Sequence, residues 1–420
     1  MSAICVVGLG YIGLPTATLL AYAGHRVTGI DIDINRISEL KSGSTPIEEP
    51  RLDTLLQSTA ASGNLVFGTQ PEPADAFFIA VPTPCNANQT CDLTDVVAAV
   101  ESIVPCLSSG NLVVIESTIP PGTCINVIKP LLEKSGAIIG HDLYLAHCPE
   151  RVLPGNILYE LVNNNRIIGG FTSECSKIAA GYYQDFVNGR LLITDCTTAE
   201  MVKLMENTFR DLNIALANET VLICHQLGLN VLEIIKLANQ HPRVNILEPG
   251  PGVGGHCLAV DPYFIIEKAP STARLISMAR QINTEMPSYI VKLVMSLLNG
   301  IHTPRIAALG ITYKGNVADC RESPALDVID LLQLSGYHVA VFDPYVEPFS
   351  QDLEAAVRDA DLILILSGHD NFRYLDYRTL ALTMRTPMIF DTRGLLDPTD
   401  FVDSPISFYN LGNIMTHMRP

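Results

Sequence analysis

Cys257 closes a segment of unusual composition, Pro249-Gly250-Pro251-Gly252-Val253-Gly254-Gly255-His256-Cys257. Four glycines and two prolines make a shaped loop with exposed backbone amides. A thiol at its end can act as a covalent catalyst when those amides or a nearby cation stabilise the thiolate. A cysteine by itself is more often a small core side chain, so the setting singles out Cys257; His256 beside it reads equally as structural or catalytic. Lys203 and Asn207 stand four apart, so on a helix they project from one face and can both hydrogen-bond one developing oxyanion. Solvated surface pairs share that spacing, and the pair needs a second, independent signal. Near the N-terminus, Gly8-Leu9-Gly10-Tyr11-Ile12-Gly13 follows an apolar run and opens a helical one. In that context the first glycine permits a tight turn, the second admits a pyrophosphate, and the third lets helix pack on strand. Asp31, at the end of the next apolar run, can accept from an adenosine ribose and would repel the extra phosphate of NADP. The expected cofactor is therefore NAD, although Arg36 is a group that accommodates such a phosphate. Asp33 reads as a solvated turn residue.

The elements that must position these groups alternate. Ile4 to Val7, a helix to about Tyr22, and Arg26 to Asp31 make a βαβ unit. Buried-strand runs follow at Ala76 to Val81, Leu112 to Glu116 and Leu143 to Ala146, and the sheet is expected to end near Thr194. From Thr198 to Gly228 no proline intervenes and apolar residues recur at helical spacing, so a long helix ended by glycine is expected; a second spans Ala273 to Leu298. The last third echoes the first: Arg305 to Leu309, a helix from Pro324 to Leu334, and a strand reaching Asp343. Asp359-Ala360-Asp361 before Leu362 to Leu366 mirrors Ala74-Asp75-Ala76 before Phe77 to Val81, and Ile389 to Asp391 mirrors Val114 to Glu116. The expected α/β architecture is two doubly wound, Rossmann-like parallel sheets joined by helices: 1–194 for the cofactor, 195–300 helical and, by analogy with helical segments of that size, a dimer interface, and 301–420 a second nucleotide-binding sheet.

With 420 residues, 48% hydrophobic and 17% charged, the chain is long enough for about two or three domains with sizeable cores. No apolar run approaches the ~20 residues of a membrane span. No basic leader precedes the first strand, and the expected compartment is the cytoplasm. Eleven cysteines without a C-x-x-C pair read as reduced thiols. A formal charge of −17 argues against nucleic acid and anionic membranes as partners. No metal ligand set is evident.

Several blocks together resemble the UDP-glucose/GDP-mannose dehydrogenase family over nearly the whole chain. They are the glycine fingerprint with Leu14-Pro15, Val81-Pro82-Thr83-Pro84, Glu116-Ser117-Thr118, Pro121-Gly122-Thr123 and Cys148-Pro149-Glu150-Arg151-Val152-Leu153-Pro154-Gly155. Thr198-Ala199-Glu200-Met201, Asn218-Glu219, His241-Pro242-Arg243-Val244-Asn245, the glycine loop, Asp261-Pro262 and Lys314 to Pro324 continue the match. The resemblance supplies the second signal for Lys203 and Asn207, as an oxyanion-stabilising pair. It also implies Cys257 as the thiolate that captures an aldehyde, Asp261 and Thr118 as holders of a catalytic water, and Glu150 as the base for thioester hydrolysis. That last role suits a partly desolvated acid with a raised pKa, with Arg151 as a group that could neutralise it. Pro82, Thr83 and Thr118 join Gly8, Gly10, Tyr11, Ile12, Gly13, Asp31 and Arg36 around NAD. Arg151, Val152, Asn245, Gly254, Tyr313, Lys314 and Arg321 are implied substrate contacts, with Arg243 reaching the neighbouring active site of a homodimer. Arg393, after a strand end, is a further substrate candidate.

The implied reaction is oxidation of a sugar carbon-6 alcohol to a carboxylate through a thiohemiacetal and a thioester, with two NADH formed. Pro154 stands where glucose-type members carry a second glutamate, which points to a UDP-N-acetyl-hexosamine substrate. Gly315 and Ala318 also depart from the residues expected beside Lys314. The resemblance favours the UDP-N-acetyl-D-mannosamine branch, with UDP-N-acetyl-D-glucosamine as the alternative. Two other readings are a two-electron hydroxyacid dehydrogenase, against which the glycine loop counts, and a non-catalytic NAD-binding sensor, against which the complete residue set counts.

Overall fold

The computed structural model describes residues 1–45, 47, 49–152, 155–350 and 352–417. Leu153 and Pro154, and with them the departure at Pro154, lie outside the described residues. The chain divides into two compact units, Met1–Glu206 with Tyr263–Pro270, and Asn207–Pro262 with Ser271–Pro420.

The first unit is built on eight strands: β1 (Ala3–Val7), β2 (Arg26–Ile30), β3 (Leu65–Gly68), β4 (Ala76–Ile79), β5 (Leu112–Ile115), β6 (Tyr144–His147), β7 (Arg166–Gly170) and β8 (Leu191–Asp195). Their order is β3-β2-β1-β4-β5-β6-β7-β8. The inner strands are apolar without alternation because both faces are covered. Val6, Phe78 and Val114 feed one core, and Cys5, Phe77 and Val113 feed another. Pairing is parallel except at β6–β7, where Ala146 faces Gly170 and His147 faces Gly169. Sequence patterning passed over β7 because it is half glycine at its end. Those glycines are steric: a Cβ on Gly169 would lie 2.5 Å from the Ala199 Cβ, and one on Gly170 2.3 Å from the Ser176 nitrogen.

Helix α1 (Gly13–Tyr22) is buried along nearly its whole length, α2 (Ile34–Lys41) follows β2, and α3 (Ser173–Gln184) packs on β7 and β8. Helix α4 (Cys196–Leu227) then runs 32 residues and ends at Gly228, whose φ of 70° is the left-handed cap that glycine adopts without strain.

In the second unit α5 (Arg274–Leu297) precedes a sheet of β9 (Arg305–Leu309), β10 (His338–Phe342), β11 (Leu362–Ile365), β12 (Met388–Asp391) and β13 (Ser407–Asn410), with α6 (Pro324–Leu334) after β9. The order is β10-β9-β11-β12-β13, all parallel. Leu362 and Leu364 share a core with Val221 of α4 and Val294 of α5, while Ile363 and Ile365 face the opposite core.

The echo between the thirds holds at the level of single atoms. The Leu9 amide donates to Asp31 Oδ2 at 2.9 Å, and the Ile311 amide to Asp343 Oδ2 at 2.8 Å. Asp33 N meets Asp31 Oδ1 at 2.9 Å, as Tyr345 N meets Asp343 Oδ1 at 2.9 Å. Asp75 and Asp361 clamp the starts of β1 and β9 through the Ala3 and Arg305 amides.

Candidate active site

The three fingerprint glycines of the first unit differ in what a side chain would meet. A Cβ on Gly8, at φ 90°, would lie 2.7 Å from the Ala80 carbonyl oxygen; one on Gly13 would lie 1.8 Å from the Gly8 oxygen; one on Gly10 would meet nothing within 4 Å. Gly8 and Gly13 are therefore turn and packing glycines, and Gly10 keeps a space clear. Helix α1 begins behind it with no capping side chain and no acidic residue in its first turn, so the positive end of its dipole is left for an anionic group such as a diphosphate. Tyr11 is exposed and Ile12 half-buried at that edge. Pro82, Thr83 and Thr118 follow β4 and β5 at the carboxyl ends of the strands, beside the β1–β4 point where the strand order reverses, the usual site for a dinucleotide.

Asp31 is buried, and Arg36 Nη1 donates to its Oδ2 at 3.0 Å. Arg36 is thus paired with the carboxylate expected at the adenosine ribose. Asp33 is solvent-exposed, and it also caps α2, accepting from the Asn35 and Arg36 amides, as a short acidic side chain does at a helix start.

Glu150 lies in a buried charge cluster of the same unit. Its Oε1 accepts from the Arg151 amide at 2.6 Å and its Oε2 from Arg166. The neighbouring guanidinium expected to neutralise it points elsewhere, since Arg151 Nη1 pairs with Glu206 at 2.5 Å and Nη2 with the Asn165 carbonyl. Arg166 takes that place and bridges to Glu116 Oε1 at 2.8 Å, which also accepts from Tyr183 Oη at 2.6 Å. Burial pushes the Glu116 carboxyl up, against the pull of Arg166. Burial would weaken the Arg166 charge, but Glu150, Tyr183 and Glu116 hold it up. His147 is fully buried and pushed down to about 3 by burial, with Lys203 and Arg166 adding to the shift. It is a neutral imidazole beside a buried cation. Sequence reasoning missed Arg166 and His147 and gave Glu116 no role; an arginine opening the apolar run Arg166-Ile167-Ile168 was the available signal for the first. Val152 leans on the Leu19, Ile157 and Leu161 cluster.

In the second unit the glycine loop is shaped by its neighbours. A Cβ on Gly254 would lie 2.2 Å from the Glu322 oxygen, and one on Gly255, at φ 83°, 2.7 Å from the Tyr313 ring. The Gly255 amide donates to the Arg321 carbonyl at 3.1 Å, and the Gly250 amide to Asn218 Oδ1 at 2.9 Å. Asn218 continues through Asn283 to Asp211 and Arg280, a buried polar chain between α4 and α5. Cys257, half-buried and in no disulfide, ends this loop. Its carbonyl accepts the Asp261 amide at 2.8 Å, and Asp261 Oδ2 in turn accepts from Asn207 Nδ2 at 2.5 Å. Cys257, Asp261 and Asn207 are therefore joined within one unit, with Arg210 holding the Asn207 oxygen.

Lys203 is buried on α4, one helical turn before Asn207. Lys314, Arg243 and Asn245 are exposed. Arg321 is engaged with both oxygens of Asp319. A Cβ on Gly250 would lie 2.3 Å from Arg393 Nη1.

Residues 2–187, 197–285 and 307–398 match, in turn, the NAD binding, central and UDP binding domains of the UDP-glucose/GDP-mannose dehydrogenase family. The chain is 47% identical to the UDP-N-acetyl-D-mannosamine dehydrogenase of Methanococcus maripaludis strain C7, over 98% of this chain and 97% of that one. It is 46% identical to an NDP-N-acetyl-D-galactosaminuronic acid dehydrogenase of Ralstonia nicotianae, over 93% and 96%. A solved structure of the UDP-N-acetyl-mannosamine dehydrogenase of S. aureus superposes with a TM-score of 0.91 at 48% identity, covering 99% of this chain and 100% of that one. With family matches in all three segments and relatives at 46–48% identity over nearly its whole length, the chain belongs to the UDP-glucose/GDP-mannose dehydrogenase family and is an NAD-dependent oxidoreductase of UDP-sugars.

Proposed function

We propose that this chain oxidises the carbon-6 alcohol of UDP-N-acetyl-D-mannosamine to the carboxylate, in four electrons, with Cys257 as covalent nucleophile. The observation that carries this reading is the placement of Cys257 at the end of the glycine loop, its backbone carbonyl accepting the Asp261 amide while the Asp261 carboxylate accepts from Asn207. A two-electron alcohol dehydrogenase has no use for a nucleophile so placed. The choice of sugar follows the relatives of M. maripaludis and S. aureus.

Bound NAD supplies the hydride acceptor for both oxidations, and Gly8, Gly10, Gly13, Asp31, Pro82, Thr83 and Thr118 are the residues that would hold it. The protein groups do the rest. The Cys257 thiolate adds to the aldehyde carbon, and the carbonyl oxygen, as it becomes anionic, takes hydrogen bonds from Lys203 and Asn207. Asn207 is suited to this because Asp261 occupies one of its two N–H groups and Arg210 its oxygen, leaving one donor of fixed direction. Loss of hydride from the adduct leaves a thioester. Asp261 and Thr118 hold the water that cleaves it, and Glu150 takes that water's proton while Cys257 leaves as thiolate.

Lys314 and Arg321 are assigned to the substrate diphosphate, with Arg151, Val152, Asn245, Gly254 and Tyr313 around the sugar nucleotide. The domain assignment is 1–194 for NAD, 195–300 for the helical segment and 301–420 for UDP. The assembly is proposed as a homodimer in which Arg243 serves the neighbouring site. Support comes from α4, where Phe209, Leu216, Ile223 and Leu227 are exposed at spacings of seven, seven and four, an apolar stripe that a second copy of the helix covers. Sedimentation is expected to give twice the chain mass, and a monomer at assay concentration would end that assignment. The cytoplasm is the proposed compartment, supported by eleven cysteines with no disulfide among them; no described helix is long and apolar enough to cross a membrane.

The deciding experiment is NADH formed per sugar with the sugar limiting and NAD in excess. Two per UDP-N-acetyl-D-mannosamine, with the gluco and galacto epimers inert, is the expected result. One NADH per sugar would remove the covalent step, turnover of a different epimer would reassign the substrate, and binding without NADH would leave a sensor.

A further inference from the structure

We propose that His369, as the neutral imidazole protonated on Nε2, is the positioning residue that fixes the 312–316 turn of the second unit for UDP-sugar binding. The proposal rests on the reading of Lys314 as a substrate contact. The turn is short and irregular, and Asn316 within it adopts φ 62°, a conformation that asparagine tolerates but does not seek. Something must hold it.

His369 is fully buried and bonded on both edges. Its Nδ1 lies 2.9 Å from the Asn316 backbone nitrogen, which can only donate, so Nδ1 is bare and the ring proton sits on Nε2. That Nε2–H faces Asp343 Oδ2 at 3.0 Å and Thr312 Oγ1 at 3.2 Å. The Thr312 hydroxyl spans the turn by donating to the Lys314 carbonyl at 2.8 Å. One ring thereby ties both ends of the turn, and through Thr312 its centre, to the end of β10. The Asn316 side chain closes the bracket on Asp370, with Nδ2 to Oδ2 at 2.7 Å and the Asp370 amide to Oδ1 at 2.9 Å. Between Thr312 and Asn316 stand Tyr313 and Lys314. The Tyr313 ring lies against Gly255 and within electrostatic reach of Cys257, so the same bracket seats the residue that backs the nucleophile loop.

The duplication explains why a histidine is needed. Asp343 is the atomic counterpart of Asp31, with the same two backbone partners. In the first unit that carboxylate stands at the edge of a cofactor cradle. In the second it is turned to an internal use, and His369 is the group that takes it.

The test measures the KM for UDP-sugar, the KM for NAD and the affinity for UDP by calorimetry, in His369→Leu, His369→Asn, Thr312→Val and Lys314→Ala. Loss of the bracket in His369→Leu is expected to raise the sugar KM and weaken UDP about tenfold, with the NAD KM within about twofold. Asparagine keeps an acceptor near Nδ1 and should recover most of the sugar KM. Thr312→Val, which keeps the shape, should move the same two constants in the same direction and decides the matter if His369→Leu does not fold. A raised sugar KM in Lys314→Ala with wild-type constants in both His369→Leu and Thr312→Val overturns the proposal alone. A wild-type sugar KM in Lys314→Ala overturns the Lys314 reading and this proposal with it.

Discussion

Replacing Cys257 by serine is expected to lower carboxylate formation by at least about 10³-fold, as removal of a catalytic nucleophile does elsewhere. Serine nearly preserves the side-chain volume, so the glycine loop should keep its packing and the binding of NAD and sugar should survive. What is lost is the sulfur nucleophile, since an unactivated hydroxyl is a poor substitute for a thiolate. Alanine at the same position should act alike, which separates chemistry from packing. Two readouts follow the covalent step. The NADH yield should fall from two per sugar to one or none, and intact-protein mass after quenching should show no sugar adduct where the native chain shows one. A Cys257→Ala protein that still delivers two NADH per sugar would remove the nucleophile from the mechanism.

Arg166→Met is the second large effect, and it is expected first in stability. Arg166 is buried between Glu150 and Glu116, themselves buried. Taking away the cation leaves two carboxyl groups without their partner, and breaking a buried pair in this way costs about 3–5 kcal/mol. The unfolding transition should move to lower denaturant with its slope unchanged. Lysine cannot restore the arrangement, because a point charge does not reproduce a planar fork that donates to two acceptors. Adding Glu116→Gln and Glu150→Gln to Arg166→Met should recover much of the stability, since no buried charge is then orphaned. That triple variant should remain inactive in thioester hydrolysis if Glu150 is the base. Wild-type stability in Arg166→Met would mean that the cluster does not depend on its cation.

Much of the architecture was legible because parallel strands buried on both faces are short, apolar and unalternating. Helix α6 and strand β9 fall at the residues that patterning marks, and α4 and α5 within about two positions at each end. Strands β7 and β8 were not legible. The first ends in glycines required by Ala199 and Ser176, contacts distant in sequence, and the second carries exposed apolar residues on a sheet edge. The site divides in the same way. Gly8, Gly13 and Asp31 answer to a local rule, whereas Arg166, His369 and Asn283 act through partners 16 to 72 positions away, and no spacing marks them. Arg151 shows the converse, since adjacency to Glu150 suggested a pairing that chain geometry gave to Arg166.

Gly10 has one more consequence. Its counterpart in the second sheet, counted from Gly310, is Thr312, whose side chain is buried and engaged with Lys314 and His369. Among the described residues, then, a single cleared bed for a dinucleotide exists per chain, while the proposed reaction removes two hydrides. The cofactor must visit twice, and the half-oxidised sugar has to wait out the exchange. A freely diffusing aldehyde would be lost in that interval. In the proposed mechanism, covalent retention at Cys257 is thus a timing device, called for by a fold that doubled its sheet but kept one seat for NAD.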